Sequence, residues 1–299
     1  MLPNAGLMGL GRRRFLEEAA VVTASTLIAT AQTPSNANGR PQSRFNDLLR
    51  ELQSDETLAN SFQARDELAE AFASGLERAP IRTPKSSAVI SSQASDLIVA
   101  CEVSSKSAYT QHYQGPVWPK GKSGVTIGIG YDLGFVTPAD LAEDWSDYIA
   151  KSYIIDLSPG CGVTGTAAGE LLKQFATIHV SWEVALAQYS EQTRPRYVGT
   201  TEAALLNTTL LSPDRLGALV SLVYNRGPAF ALAGDRYREM RNIKAQMSLK
   251  EFQKIPQEIR SMKRLWDGQP EMRGLLLRRD AEASLFGSSE EFVGGFRLR

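Results

Sequence analysis

Three oxygen-bearing side chains, Glu102, Thr126 and Asp132, are spaced so that they could do acid/base chemistry. Glu102 ends an apolar helical pattern, ASDLIVACE, in which Leu97, Ile98 and Cys101 share one face and Ser95 or Asp96 is available as a cap. Thr126 and Asp132 lie in GVTIGIGYDLG, with glycine at 124, 128, 130 and 134. Fully extended, Thr126 and Asp132 would stand about 20 Å apart, too far for one reaction centre. Gly128 and Gly130 permit a bend, so the run reads as two short strands folded back on each other. A hydroxyl and a carboxylate then share one spot. A Glu against an apolar helix and an Asp in wetter surroundings make a pair suited to glycoside cleavage. Glu102 would protonate the leaving oxygen, while Asp132 orients a water or stabilises an oxocarbenium-like centre and Thr126 holds that water. Tyr109, Tyr113, Trp118 and Tyr131 offer aromatic faces that fit sugar rings.

Other chemistries fail on spacing. A dinucleotide loop needs G-x-G-x-x-G, whereas Gly128-x-Gly130 is followed by three residues before Gly134. The two histidines, His112 and His179, are far apart and form no H-E-x-x-H, so no metal or other cofactor is implied. No G-x-S-x-G marks a serine hydrolase. A Cys161–His179 peptidase is conceivable, but nothing local activates either residue.

The elements that must position these groups are mostly helical. From Pro138 onward helical patterns run to the end of the chain, interrupted by short loops. Segment 108–124, with Pro116, Pro119 and three glycines, reads as irregular. The expectation is an α+β domain over 93–299, predominantly α-helical with one small β-hairpin. Before it, residues 32–92 read as a linker, a pair of helices over 43–78 and a Pro/Ser-rich connection. Such a pair buries too little to stand alone; it could pack on the main domain, bind a partner or act as a spacer.

Residues 1–31 read as an export signal. Arg12-Arg13-Arg14-Phe15-Leu16 precedes a mild apolar run ending in Ala29-Thr30-Ala31, a pattern resembling a twin-arginine leader with a small-x-small cleavage site. The run is too short to span a bilayer core, which takes roughly 20 residues. The location implied is the bacterial periplasm or the exterior. Lys+Arg and Asp+Glu both number 33, which gives no nucleic-acid signal. Charge is uneven, with 15 Lys/Arg against 10 Asp/Glu from Asn225 to Arg299, a balance that favours an anionic polymer such as a cell wall. Cys101 and Cys161 are compatible with one disulfide or with buried free thiols.

Three ordered motifs carry a family resemblance. Glu102 followed by TIGIGYDLG, then ALVSLVYNRGPAF (218–230), then GLLLRRDAEASLF (274–286), resemble the catalytic region, a buried helix end and the terminal helix of phage-type lysozymes. The usual Asp between the Glu and the Thr is missing, because residues 103–125 hold no Asp or Glu. Pesticin-like muramidases are closer, with a longer gap and an Asp six residues beyond the Thr, as Asp132 lies beyond Thr126. The resemblance implies a lysozyme-like fold with Glu102 as acid, and Thr126 with Asp132 positioning water or charge. It makes Asn225, Arg278 and Arg279 cleft or structural positions, with structural roles for the arginines, and Glu282 a helix-surface or buried ion-pair partner. Substrate contacts would come from Tyr109, Trp118, Tyr131 and Asn225. The activity implied is an inverting muramidase that cleaves the β-1,4 bond between N-acetylmuramic acid and N-acetylglucosamine. Its partners would be peptidoglycan strands and a proteinaceous inhibitor or immunity protein. The alternatives are a non-catalytic peptidoglycan-binding scaffold on the same fold and an antibacterial effector using the same chemistry.

Overall fold

Ser91 opens the helix that carries Glu102: its side chain accepts a hydrogen bond from the Ala94 N–H at 3.1 Å. The cap therefore lies earlier than Ser95 or Asp96, because the apolar face starts at Ile90 and Ala94, both buried. The computed structural model describes residues 41–59, 66–76 and 82–288. The export signal expected over 1–31 lies outside the described residues.

The described residues are predominantly helical, with one tiny antiparallel sheet. In chain order the described helices are α1 (Pro41–Ser54), α2 (Glu56–Ala59), α3 (Glu67–Ala73), α4 (Ser92–Val103) and α5 (Lys106–His112). Strands β1 (Thr126–Ile127) and β2 (Tyr131–Asp132) follow, then α6 (Pro138–Trp145), α7 (Lys151–Leu157), α8 (Thr166–Leu171) and α9 (Trp182–Gln188). The last are α10 (Arg194–Ala204), α11 (Pro213–Arg226), α12 (Arg238–Leu249), α13 (Ile255–Ser261) and α14 (Arg273–Ser288). The segment expected to be irregular from 108 is helical as far as His112, because Ser105 accepts from the Ala108 N–H and starts α5.

Helix α11 is the axis of the core. Every residue from Leu216 to Arg226 is buried, the mark of a helix covered on all sides. It packs on α4, α10 and α14. Helix α1 lies along α14 and α4, and its Phe45 and Leu52 enter the same apolar core as Leu219, Leu222 and Phe286. The Pro/Ser-rich connection is tied down as well. Ser86 N–H donates to Pro195 O at 3.0 Å, and Arg196 Nη1 donates to Thr83 O at 3.0 Å.

Between α9 and α10 the chain makes a π turn over Tyr189–Thr193. Pro195 lacks the N–H that would continue an α ladder and its ring crowds the preceding turn, so the helix widens there.

Both cysteines are free, and burial raises the Cys101 thiol to about 12 and the Cys161 thiol to about 11. Both are therefore protonated at neutral pH. We expect two thiols to titrate after denaturation and both to alkylate slowly in the native protein at pH 8. An intact mass two hydrogens lighter than the reduced chain would contradict this.

No described helix is long and apolar enough to cross a membrane.

Candidate active site

The two-stranded sheet pairs Thr126 with Asp132 and Ile127 with Tyr131. Residues 128–130 form the bend, and both of its glycines adopt positive φ, 58° at Gly128 and 70° at Gly130. Three contacts pin it. Tyr224 of α11 donates its hydroxyl to Ile129 O at 2.6 Å. Gly128 lies against Trp145, so that a methyl there would stand 2.7 Å from the indole. A methyl on Gly130 would stand 2.8 Å from Glu102 Oε2. Val117 adds an antiparallel bridge to Thr126, with N–H···O distances of 3.0 and 2.7 Å.

Gly130→Ala is accordingly expected to cost about 1–2 kcal/mol from the left-handed backbone alone. It should also push the Glu102 carboxylate out of place, so any turnover that depends on Glu102 should fall further than stability. Chemical denaturation alongside a turnover assay checks the two effects separately.

Asp132 clips the base of the hairpin. Its Oδ1 accepts from Gly124 N–H at 3.0 Å and Gly134 N–H at 2.8 Å, and its Oδ2 lies 3.2 Å from the same Gly124 nitrogen. The carboxylate thus serves the local backbone as well as facing the cavity.

Glu102 is oriented from below. Its Oε1 accepts from Arg278 Nη1 at 2.9 Å. Arg278 also donates from Nε to Glu282 Oε1 at 3.2 Å and from Nη2 to Ser221 O at 2.8 Å. Arg279 Nη2 donates to Glu282 Oε1 at 2.9 Å and to Asn225 Oδ1 at 3.3 Å, and the Ser221 hydroxyl donates to the same Glu282 oxygen at 2.7 Å. Two carboxylates and two guanidiniums therefore alternate in a chain that runs under the site from Glu102 to Asn225. Burial alone would lower the Arg278 pKa, but Cys101, Glu102 and Glu282 raise it. Arg279 is pushed down to about 10, chiefly by burial, against the pull of Glu282.

Glu102, Thr126, Tyr131, Asp132, Asn225 and Arg278 line one cavity of about 530 Å³. Two residues expected to contact substrate are elsewhere. Tyr109 is fully buried, donates its hydroxyl to Val180 O at 3.0 Å and meets Trp182 edge-on. Trp118 donates its indole N–H to Ser123 O at 3.2 Å and packs on Gly169. Aromatic residues close in sequence to a candidate site do not tell a core ring from a cleft ring.

The opposite wall had no local signal in the sequence. Tyr131 donates its hydroxyl to Asp144 Oδ2 at 2.9 Å, and burial together with the Asp144 charge raises its pKa. Asp144 also takes Arg196 Nη2 at 3.1 Å and pairs with Arg82. Arg82, Asp144, Arg196 and Tyr197 line the cavity, as does Thr193 of the π turn. A lone Arg in a Pro/Ser-rich connection reads as a solvated charge, and only packing on α6 and α10 brings Arg82 here.

No protein-family model matches the chain, and no curated protein matches it in sequence.

Proposed function

We propose that the chain is a peptidoglycan hydrolase, a muramidase that cleaves the β-1,4 bond between N-acetylmuramic acid and N-acetylglucosamine. The observation that carries this is the seating of Glu102. Its carboxylate is fixed by Arg278 and stands against Gly130, in a cavity that Thr126 and Asp132 also line as cross-strand partners. In this mechanism Glu102 protonates the leaving glycosidic oxygen. Thr126 holds the attacking water, and Asp132 supplies negative charge beside it and takes up its proton. The role of Arg278 is to orient Glu102. The order of Glu102, TIGIGYDLG, ALVSLVYNRG and GLLLRRDAEASLF, similar to that of pesticin-like muramidases, supports the same reading.

A second reading is a peptidoglycan-binding protein without catalysis. What favours it is the commitment of the Asp132 carboxylate to the Gly124 and Gly134 N–H groups. Digestion of purified peptidoglycan separates the two. New reducing ends, absent with Glu102→Gln, are the expected result. Anhydro-muropeptides would instead indicate a lytic transglycosylase, and no release at all would leave only the binding role.

A further inference from the structure

Helix α3 forms part of the wall of the cavity that holds Glu102. Leu68 and Phe72, four residues apart on α3, line that cavity together with Leu76 just beyond the helix. The segment grips both lips. On the hairpin side Phe72 stacks on Phe135 with centroids 5.3 Å apart and planes at 18°. Asp66 Oδ1 accepts from the Lys122 N–H at 2.9 Å, and Glu70 pairs with Lys122 Nζ at 2.6 Å. On the helical side Leu68 and Leu76 lie against Gly227, at the end of α11. Glu67, almost fully buried, accepts from Arg236 Nη2 at 2.5 Å and Trp266 Nε1 at 3.1 Å, with Arg226 Nε 3.6 Å away.

We propose that residues 66–76 are an autoinhibitory strap: the site is reached by a glycan polymer only after α3 leaves the cleft. The inference rests on the function proposed above. A seven-residue helix is marginal by itself, so α3 keeps its place through these contacts rather than through its own hydrogen bonds. The segment touches both the hairpin side and the α11 end of the cavity that a polymeric substrate has to enter. It also presents three carboxylates, Asp66, Glu67 and Glu70, to Lys122, Arg226 and Arg236. An anionic polymer competes for those cations. The strap lowers the fraction of molecules that can bind, and the apparent affinity falls by that fraction.

The test measures binding to insoluble peptidoglycan by co-sedimentation in the Glu102→Gln background, so that no substrate is consumed. Phe72→Asp removes the apolar grip on Phe135, and Glu70→Lys repels Lys122 while leaving that cation in place for the polymer. Each is expected to tighten binding by about fivefold or more and to speed hydrogen exchange at amides 66–76. With Glu102 restored, each should also digest peptidoglycan faster. Fast exchange at 66–76 with unchanged binding overturns the proposal. Tighter binding without reducing ends, from released chains that carry Glu102, rejects the muramidase reading and leaves the strap standing.

Discussion

Glu102→Gln is expected to lower the release of reducing ends from peptidoglycan by about 10²–10⁴-fold while the chain stays folded. Glutamine keeps the shape of the side chain but has no proton to donate to the leaving oxygen. Arg278, which loses its carboxyl partner at 2.9 Å, still donates to Glu282 and to Ser221 O, so it is not left alone in the core. Stability should drop by about 1.5–3 kcal/mol, the usual worth of a hydrogen bond to a charged group. Glu102→Asp makes the complementary test. It keeps the carboxyl but withdraws it by one methylene from Gly130, so a large loss there assigns the effect to position rather than to charge. Turnover measured beside a denaturation curve for each variant checks both. Wild-type activity in Glu102→Gln would remove the acid from the mechanism.

Glu282→Ala is the substitution expected to cost most in stability, about 3–5 kcal/mol. One Glu282 oxygen accepts from Ser221, Arg278 and Arg279 at 2.7, 3.2 and 2.9 Å, and the side chain is wholly buried. Its removal leaves two adjacent guanidiniums in the core. Arg279 suffers most, because burial has already pushed its pKa down to about 10 and Glu282 is the charge that offsets this. For a domain of this size the loss corresponds to a fall in Tm of roughly 10 °C. Arg279→Met should be far milder, because replacing a buried charge with an apolar chain of similar volume removes its desolvation cost. Calorimetry on both variants discriminates: equal losses would mean that packing, not charge, dominates at this position.

The same network links stability to the site. Arg278 joins Glu102 to Glu282, so, on the proposed mechanism, Glu282→Ala should also reduce turnover in the surviving folded fraction, by freeing the guanidinium that holds Glu102.

Local features were legible in the residues. Gly128 and Gly130 announced the bend, and the bend decided that Thr126 faces Asp132 across the strands. The apolar spacing of Leu97, Ile98 and Cys101 announced the helix that ends near Glu102. Even these were imprecise at their edges. Ser91 rather than Ser95 or Asp96 caps α4, and α5 extends into a stretch whose prolines and glycines suggested a loop.

What lay beyond the sequence is everything joined across long separations. Glu102 meets Arg278 over 176 positions, and Trp266 meets Glu67 over 199. No periodicity encodes such pairs, because helical spacing fixes which face of an element is apolar but not which neighbour covers it. For that reason Tyr109 and Trp118 could be mistaken for cleft residues, while Arg82 and α3 gave no sign of lining the cavity. Residue order alone dictates a mostly helical chain, a glycine-bent hairpin and a carboxylate at a helix end. Only the packing of α11, α14 and α3 around that hairpin set what these groups touch. Burial and ion pairing are properties of surfaces brought together, whereas a bend or a helix is set by the residues within it.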